Sequence, residues 1–172
     1  MLARTEERIP HIPPDAVLRS GTVEVLVVDD DESLRHLLDR HLWHAGYDVR
    51  LAANVDTACG MIVENSPDIM IVDLEMRGSD PLDFVAAIRD DETIPFFPVI
   101  FLTARTDAAS RARELGAICL LKPVRADKLL TTVALSTLIQ RPLPRHAEPD
   151  PSLTAANEAL FRFRLASQAH DL

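Results

Sequence analysis

Four short apolar runs in this chain each close on polar residues: VEVLVVDD, IMIVD, VIFLT and ICLLK. Runs of this length, apolar at nearly every position, fit strands buried on both faces, the condition of a parallel sheet. In an open α/β sheet the carboxyl ends of the strands line the ligand crevice. The residues at those ends are Asp29 and Asp30, then Asp73, Thr103 and Lys122. The pattern therefore predicts that three carboxylates, a hydroxyl and an ammonium, far apart in sequence, meet at one edge of one sheet.

The segments between the runs read as helices. Residues 32–45 place Leu34, Leu37, Leu38, Leu42 and Trp43 at helical spacing and stop at Gly46. YDVRLA (47–52) is a further strand, and 55–64 a helix with Asn54 as its N-cap. A helix over 81–89 has Asp80 to cap it and Pro81 in its first turn. Pro95 and Pro98 bracket a loop before the strand at 99–103. A short helix over 107–115 ends at Gly116, the last strand is 118–121, and the last helix is 126–139. Five strands alternating with five helices predict an α/β domain, a doubly wound parallel sheet with helices on both faces.

That domain spans residues 22–140. Residues 1–21 read as a flexible arm, polar and with three prolines. Beyond it, 141–172 opens with the proline-rich linker RPLPRHAEPDP. Asp150, Pro151 and Ser152 then form a helix start, with Leu153, Ala156, Leu160 and Phe163 roughly on one face. The two readings of this tail are a docking amphipathic helix, too short to stand alone in water, and a frayed end.

Charge narrows the partners. The net charge is −9, and both flanks are balanced, so residues 22–140 hold 11 of the 18 Lys and Arg and 20 of the 27 acids. An acidic domain repels nucleic-acid phosphates, and no basic patch offsets this, so no nucleic acid is expected as a partner. No apolar stretch approaches the length that spans a bilayer, and the first twenty residues lack a basic start followed by an apolar block. A cytoplasmic protein without membrane contact is the expectation. Cys59 and Cys119 form no motif and read as small reduced hydrophobes.

Asp29, Asp30 and Asp73 crowded together would repel, and without a counter-ion at least one would have a raised pKa. A hard cation removes that penalty; Mg²⁺ takes oxygen ligands and commonly shares a phosphate. With the metal bound, a carboxylate can attack phosphorus, while Lys122 and Thr103 supply an ammonium and a hydroxyl to phosphoryl oxygens. On this reading Asp30→Asn raises metal-free stability and weakens Mg²⁺ binding.

The segments VLVVDDDESLR, PDIMIVDLEM, VIFLTA and LGAICLLKP resemble, in order and spacing, the four signature blocks of the response-regulator receiver domain of bacterial two-component systems. The resemblance covers residues 24–140 and implies a chemotaxis-regulator-like, flavodoxin-like fold with strand order 2-1-3-4-5. It implies Asp73 as phosphoacceptor for a phosphohistidine on a sensor histidine kinase or a histidine phosphotransfer protein. Direct ligands of Mg²⁺ (or Mn²⁺) would be Asp30, Asp73 and the backbone carbonyl of Glu75, with Asp29 acting through water. Thr103, Ala104 and Lys122 would bind the phosphoryl group, with Thr103 as the switching hydroxyl and Pro123 following a cis peptide bond. Glu75 and Arg105 match positions that flank the phosphoryl entrance and tune its lifetime; a pairing between them across the opening is one expectation, two solvated side chains the other. On the first helix, Leu37, His41 and His44 match the surface that meets the kinase or phosphotransfer partner.

Two departures stand out. Met76 is followed by Arg77 where the family usually has Pro, and Asp80-Pro81 stands where Gly is common. Cys119, three residues before Lys122, stands where the family carries a Tyr or Phe whose ring turns inward on switching. A cysteine cannot fill that volume, so either another group performs the switch or phosphorylation is weakly coupled to the output surface. Output would run through protein contact, including a homodimer through the fourth helix, fifth strand and fifth helix or through the C-terminal helix. The alternatives are a receiver from a longer regulator, a pseudo-receiver that is never phosphorylated, and, from another class, a phosphatase of the haloacid-dehalogenase type, which Asp73-Leu74-Glu75 superficially matches.

Overall fold

The computed structural model describes residues 22–105 and 107–139. The elements run β1 (Glu24–Val28), α1 (Glu32–His44), β2 (Asp48–Ala52), α2 (Val55–Glu64), β3 (Ile69–Asp73), α3 (Pro81–Asp90), β4 (Val99–Thr103), α4 (Ala109–Glu114), β5 (Ile118–Leu121) and α5 (Ala126–Ile139). The expected arm at 1–21 and the linker and helix at 141–172 lie outside the described residues.

The five strands form one parallel sheet in the order β2-β1-β3-β4-β5. β3 and β4 are buried at all five positions, which accounts for their unbroken apolar sequence. Alternate strand residues feed two cores. Leu26, Val28, Met70, Val72, Val99 and Phe101 pack on the α2 and α3 face. Val25, Val27, Ile69, Ile71, Ile100 and Leu102 pack with Leu38 and Leu42 of α1 and Leu129 and Val133 of α5. Helices therefore cover both faces, as the alternating pattern requires.

Helix ends follow local chemistry. The Asn54 side chain accepts from Thr57 N–H, and Asp80 accepts from Leu82 N–H beside Pro81. Gly46 and Gly116 adopt φ of +89° and +67° just after α1 and α4, where a side chain would be strained.

Leu37 and Trp43, at helical spacing with the core leucines of α1, are 42% and 67% exposed, which leaves Leu37 on the surface where a partner contact was expected. The core takes only the narrower stripe through Leu38 and Leu42. The fourth helix starts at Ala109 rather than 107, without a side-chain cap, and the Asp107 carboxylate pairs with Arg105 at 2.6 Å.

Short α4 is held by arginines at both ends. Arg111 reaches Asp80 and Asp83 at the start of α3. Arg89 of α3 donates to Leu115 O at 3.3 Å and Phe97 O at 2.8 Å, with its guanidinium 4.1 Å from the Phe96 ring centroid. Burial holds the Arg89 pKa below the usual value. Arg89→Met is expected to cost about 1–2 kcal/mol in urea unfolding, since two carbonyls lose their donor and the ring loses its cation.

Candidate functional site

Register brings the strand ends level. Val28 of β1 pairs with Val72 of β3, Asp73 with Leu102, and Thr103 with Leu121. Asp29 and Asp30 leave β1, Asp73 closes β3, Thr103 closes β4 and Lys122 follows β5, so all five reach the same rim. One oxygen from each of Asp29, Asp30 and Asp73 lies within 4.8 Å of the others. Lys122 Nζ donates to Asp73 Oδ1 at 2.7 Å and lies 3.3 Å from Glu75 Oε2. An open cavity of about 520 Å³ beside them is lined by Asp30, Asp31, Leu34, Asp73, Glu75, Arg77 and Lys122.

The three aspartates are not equivalent. Asp29 is 1% exposed and Asp73 4%, while Asp30 faces water. Asp29 Oδ1 accepts from Asp31 N–H at 2.8 Å, and its Oδ2 has no partner among the described residues. Burial pushes the Asp29 carboxyl up to about 6; the Asp31 amide opposes this and the charge of Asp73 adds to it. Burial also raises Asp73, against the pull of Lys122 and of the Glu75 N–H. Lys122 is held above its usual range: burial works against its charge, but Asp73 and Glu75 outweigh it. The cost of buried charge thus falls on Asp29 rather than Asp30, so the stability gain expected for Asp30→Asn moves to Asp29→Asn.

Glu75 stands further into the site than its position in the sequence implies. Burial raises its pKa, but the Thr103 hydroxyl and the Ala104 N–H outweigh it, and the net shift is downward. Its Oε1 accepts from Thr103 Oγ1 at 2.7 Å and from Ala104 N at 2.8 Å. The expected pairing of Glu75 with Arg105 is therefore replaced: Glu75 turns inward to these donors, and Arg105 turns to Asp107.

The remaining candidates separate from the rim. Cys119 sits in mid-strand beside Phe101 and packs on the α2–α3 core. Burial raises its pKa, with Arg113 opposing. Leu37, His41 and His44 do not line the cavity; α1 contributes Leu34 instead. His44 Nδ1 lies 2.6 Å from Arg40 O, and its ring meets Trp43 edge-on.

Two contributors escape the sequence reading. Asp31 caps α1, its Oδ1 accepting from Ser33 and Leu34 N–H. An aspartate just before a helical pattern is the signal that marks it. Arg77 donates its N–H to Asp30 Oδ2 at 3.3 Å. Proline, usual at this position, has no N–H to give, so the departure itself is the signal. Lys122–Pro123 is a cis peptide bond.

The donor set fits a hard dication. It is all oxygen, it is anionic, and it includes an orphaned buried oxygen on Asp29 that a cation or its water would satisfy. Among the described residues no helix is long and apolar enough to cross a membrane.

Comparison with known proteins agrees with this geometry. The family model described as response regulator receiver domain matches residues 25–134. The response regulator MprA of Mycobacterium sp. (strain KMS) is 34% identical over 135 residues, 77% of this chain and 57% of that protein. The Mycobacterium bovis MprA is 34% identical over 129 residues, 73% of this chain and 54% of that protein. The chain thus spans just over half the length of these curated relatives. Among solved structures, the chemotaxis protein CheY4 of Vibrio cholerae superposes with a TM-score of 0.63 at 30% identity, covering 67% of this chain and 99% of that one. The receiver domain of NtrX from Brucella abortus gives 0.62 at 26% identity, covering 67% and 99%. With strand order, acidic rim and sequence match in agreement, this chain belongs to the response regulator receiver domain family of two-component systems.

Proposed function

We propose that Asp73 accepts a phosphoryl group from a phosphohistidine on a sensor histidine kinase or phosphotransfer protein. The observation that carries this reading is the convergence on Asp73 of two further aspartates and the Lys122 ammonium, beside an open cavity. An Asp73 carboxylate oxygen attacks phosphorus, the P–N bond breaks, and the imidazole nitrogen keeps the bonding pair and takes up a proton. Lys122 holds Asp73 in place and offers its ammonium to a phosphoryl oxygen; Thr103 and the Ala104 N–H offer two more donors. Asp30, Asp73 and the Glu75 backbone carbonyl would hold Mg²⁺, with Asp29 acting through water; when bound, the ion supplies neutralisation of the crowded negative charge. The test is incubation with Mg²⁺ and acetyl phosphate followed by intact mass measurement. One phosphate-sized gain per chain is expected, and none would sink the reading.

Output through protein contact is supported by Ile118, Leu121, Leu135 and Leu138, exposed on β5 and α5. A second copy or a downstream protein would meet the exposed side chains of β5 and α5. The length of the curated relatives supports placing this domain within a longer regulator. Residues 22–140 form the receiver on this reading, and 141–172 the proline-rich linker and C-terminal amphipathic segment.

Cys119 lacks the ring that would couple the rim to β5 and α5, so switching through those elements is expected to be weak. Amide shifts on adding Mg²⁺ and beryllofluoride are expected to concentrate at 29–30, 73–77, 103–105 and 122. They should stay small along 118–121 and 126–138. Equally large shifts across β5 and α5 would remove this expectation.

A further inference from the structure

Glu75 is the acid of the rim whose carboxylate is most fully committed to donors. It meets a hydroxyl (Thr103, 2.7 Å), a backbone N–H (Ala104, 2.8 Å) and an ammonium (Lys122, 3.3 Å). Those three groups come from the ends of two strands, and a single anionic group beside Asp73 satisfies them all. They are the same three donors that the phosphoacceptor reading assigns to phosphoryl oxygens. Charge-assisted bonds of this kind are the stronger ones, and they compete directly with any other anion that seeks the same donors.

We propose that Glu75 is an internal occupant of the phosphoryl cradle: in the resting protein its carboxylate fills the place of the phosphoryl oxygens, and phosphorylation of Asp73 must displace it. This inference rests on the phosphoacceptor reading and adds a competing ligand built into the chain. Two observations make displacement feasible. The Glu75 side chain is 31% exposed, on the loop between β3 and α3. The cavity beside it has Arg77 on its wall, which offers a cation to a carboxylate that swings out. The Thr103 hydroxyl is then already drawn into the rim before any phosphate arrives. Apparent affinity for a phosphoryl group is also lowered by the fraction of molecules in which Glu75 holds the cradle closed.

The experiment compares the wild-type chain with Glu75→Ala and Glu75→Gln, using Mg²⁺ with beryllofluoride as the phosphoryl mimic and following amide resonances. Without metal or mimic, the Ala104 amide proton is expected to move upfield in Glu75→Ala, because its carboxylate acceptor is gone. Beryllofluoride is expected to bind Glu75→Ala roughly tenfold tighter than wild type, the effect of removing one charge-assisted self-ligand. Glu75→Gln should fall between, because its amide oxygen still accepts from Thr103 and Ala104 while the charge facing Lys122 is lost. An unmoved Ala104 resonance in Glu75→Ala overturns the proposal. So does equal binding by wild type and Glu75→Ala, and so does equal tightening in both variants, which marks a plain charge effect. Failure of this inference alone leaves beryllofluoride bound to the wild type. No binding by any of the three proteins overturns the phosphoacceptor reading, and this inference with it.

Discussion

Asp73→Asn is expected to abolish phosphoryl incorporation while leaving the fold intact. The substitution keeps the size of the side chain and an oxygen able to accept the Lys122 bond of 2.7 Å. What it removes is the anionic oxygen that attacks phosphorus, and a neutral amide is no substitute. The wild type should gain one phosphate-sized mass increment with Mg²⁺ and acetyl phosphate, and the variant none. Stability should change little, because Lys122 retains Glu75 at 3.3 Å and burial already penalises the charge on Asp73. Labelling of the variant at another residue would reassign the acceptor. Continued release of phosphate from small esters would instead favour the phosphatase alternative, because a receiver labels once and then hydrolyses that one bond.

The second large effect is on stability and comes from Asp29. Its carboxyl titrates near 3.8 when unfolded and near 6 when folded without metal. The folded state therefore holds its proton more tightly, and the associated stability is fully present below about pH 3.8 and lost as pH rises through about 6. The loss is about 1–3 kcal/mol once water at the open rim is allowed for. Asp29→Asn should recover it at neutral pH, since the amide keeps the oxygen that accepts from Asp31 and replaces the orphaned oxygen with a donor near Asp73. Thermal melts at pH 4.5 and 7.5, with and without Mg²⁺, check this. The metal should raise the wild-type melting temperature at pH 7.5 and raise that of the variant less. A metal-free wild type that is more stable at pH 7.5 than the variant would refute the account.

The two effects share a cause, the placing of charge where the sheet leaves little room for water. The proposed function rests on the same placing: a cation at the rim would offset the buried charge, and beside a buried carboxylate it would favour attack on phosphorus.

Much of the fold is legible in the order of the residues. Unbroken apolar runs specify buried parallel strands, and helical spacing between them specifies the crossovers, because both signals are local and repeat with the period of the element. Asn54 and Asp80 cap helices as their positions imply. Local patterns mislead where two options compete. Asp107 has the chemistry to cap a helix, yet it pairs with Arg105. Trp43 fits the helical spacing of α1, yet the sheet beneath takes the narrower stripe through Leu38 and Leu42.

Sequence alone determined the five-strand alternation and the identity of the residues at the strand ends, because burial on both faces leaves a chain few ways to write a strand. Tertiary structure decided which carboxylate bears the cost of burial and where Glu75 turns. Asp29 and Asp30 are neighbours with the same side chain, and only the direction in which the backbone leaves β1 buries one and exposes the other. Glu75 meets Thr103 across 28 positions of chain, and that meeting depends on strand register and loop path together, neither of which is a property of local sequence.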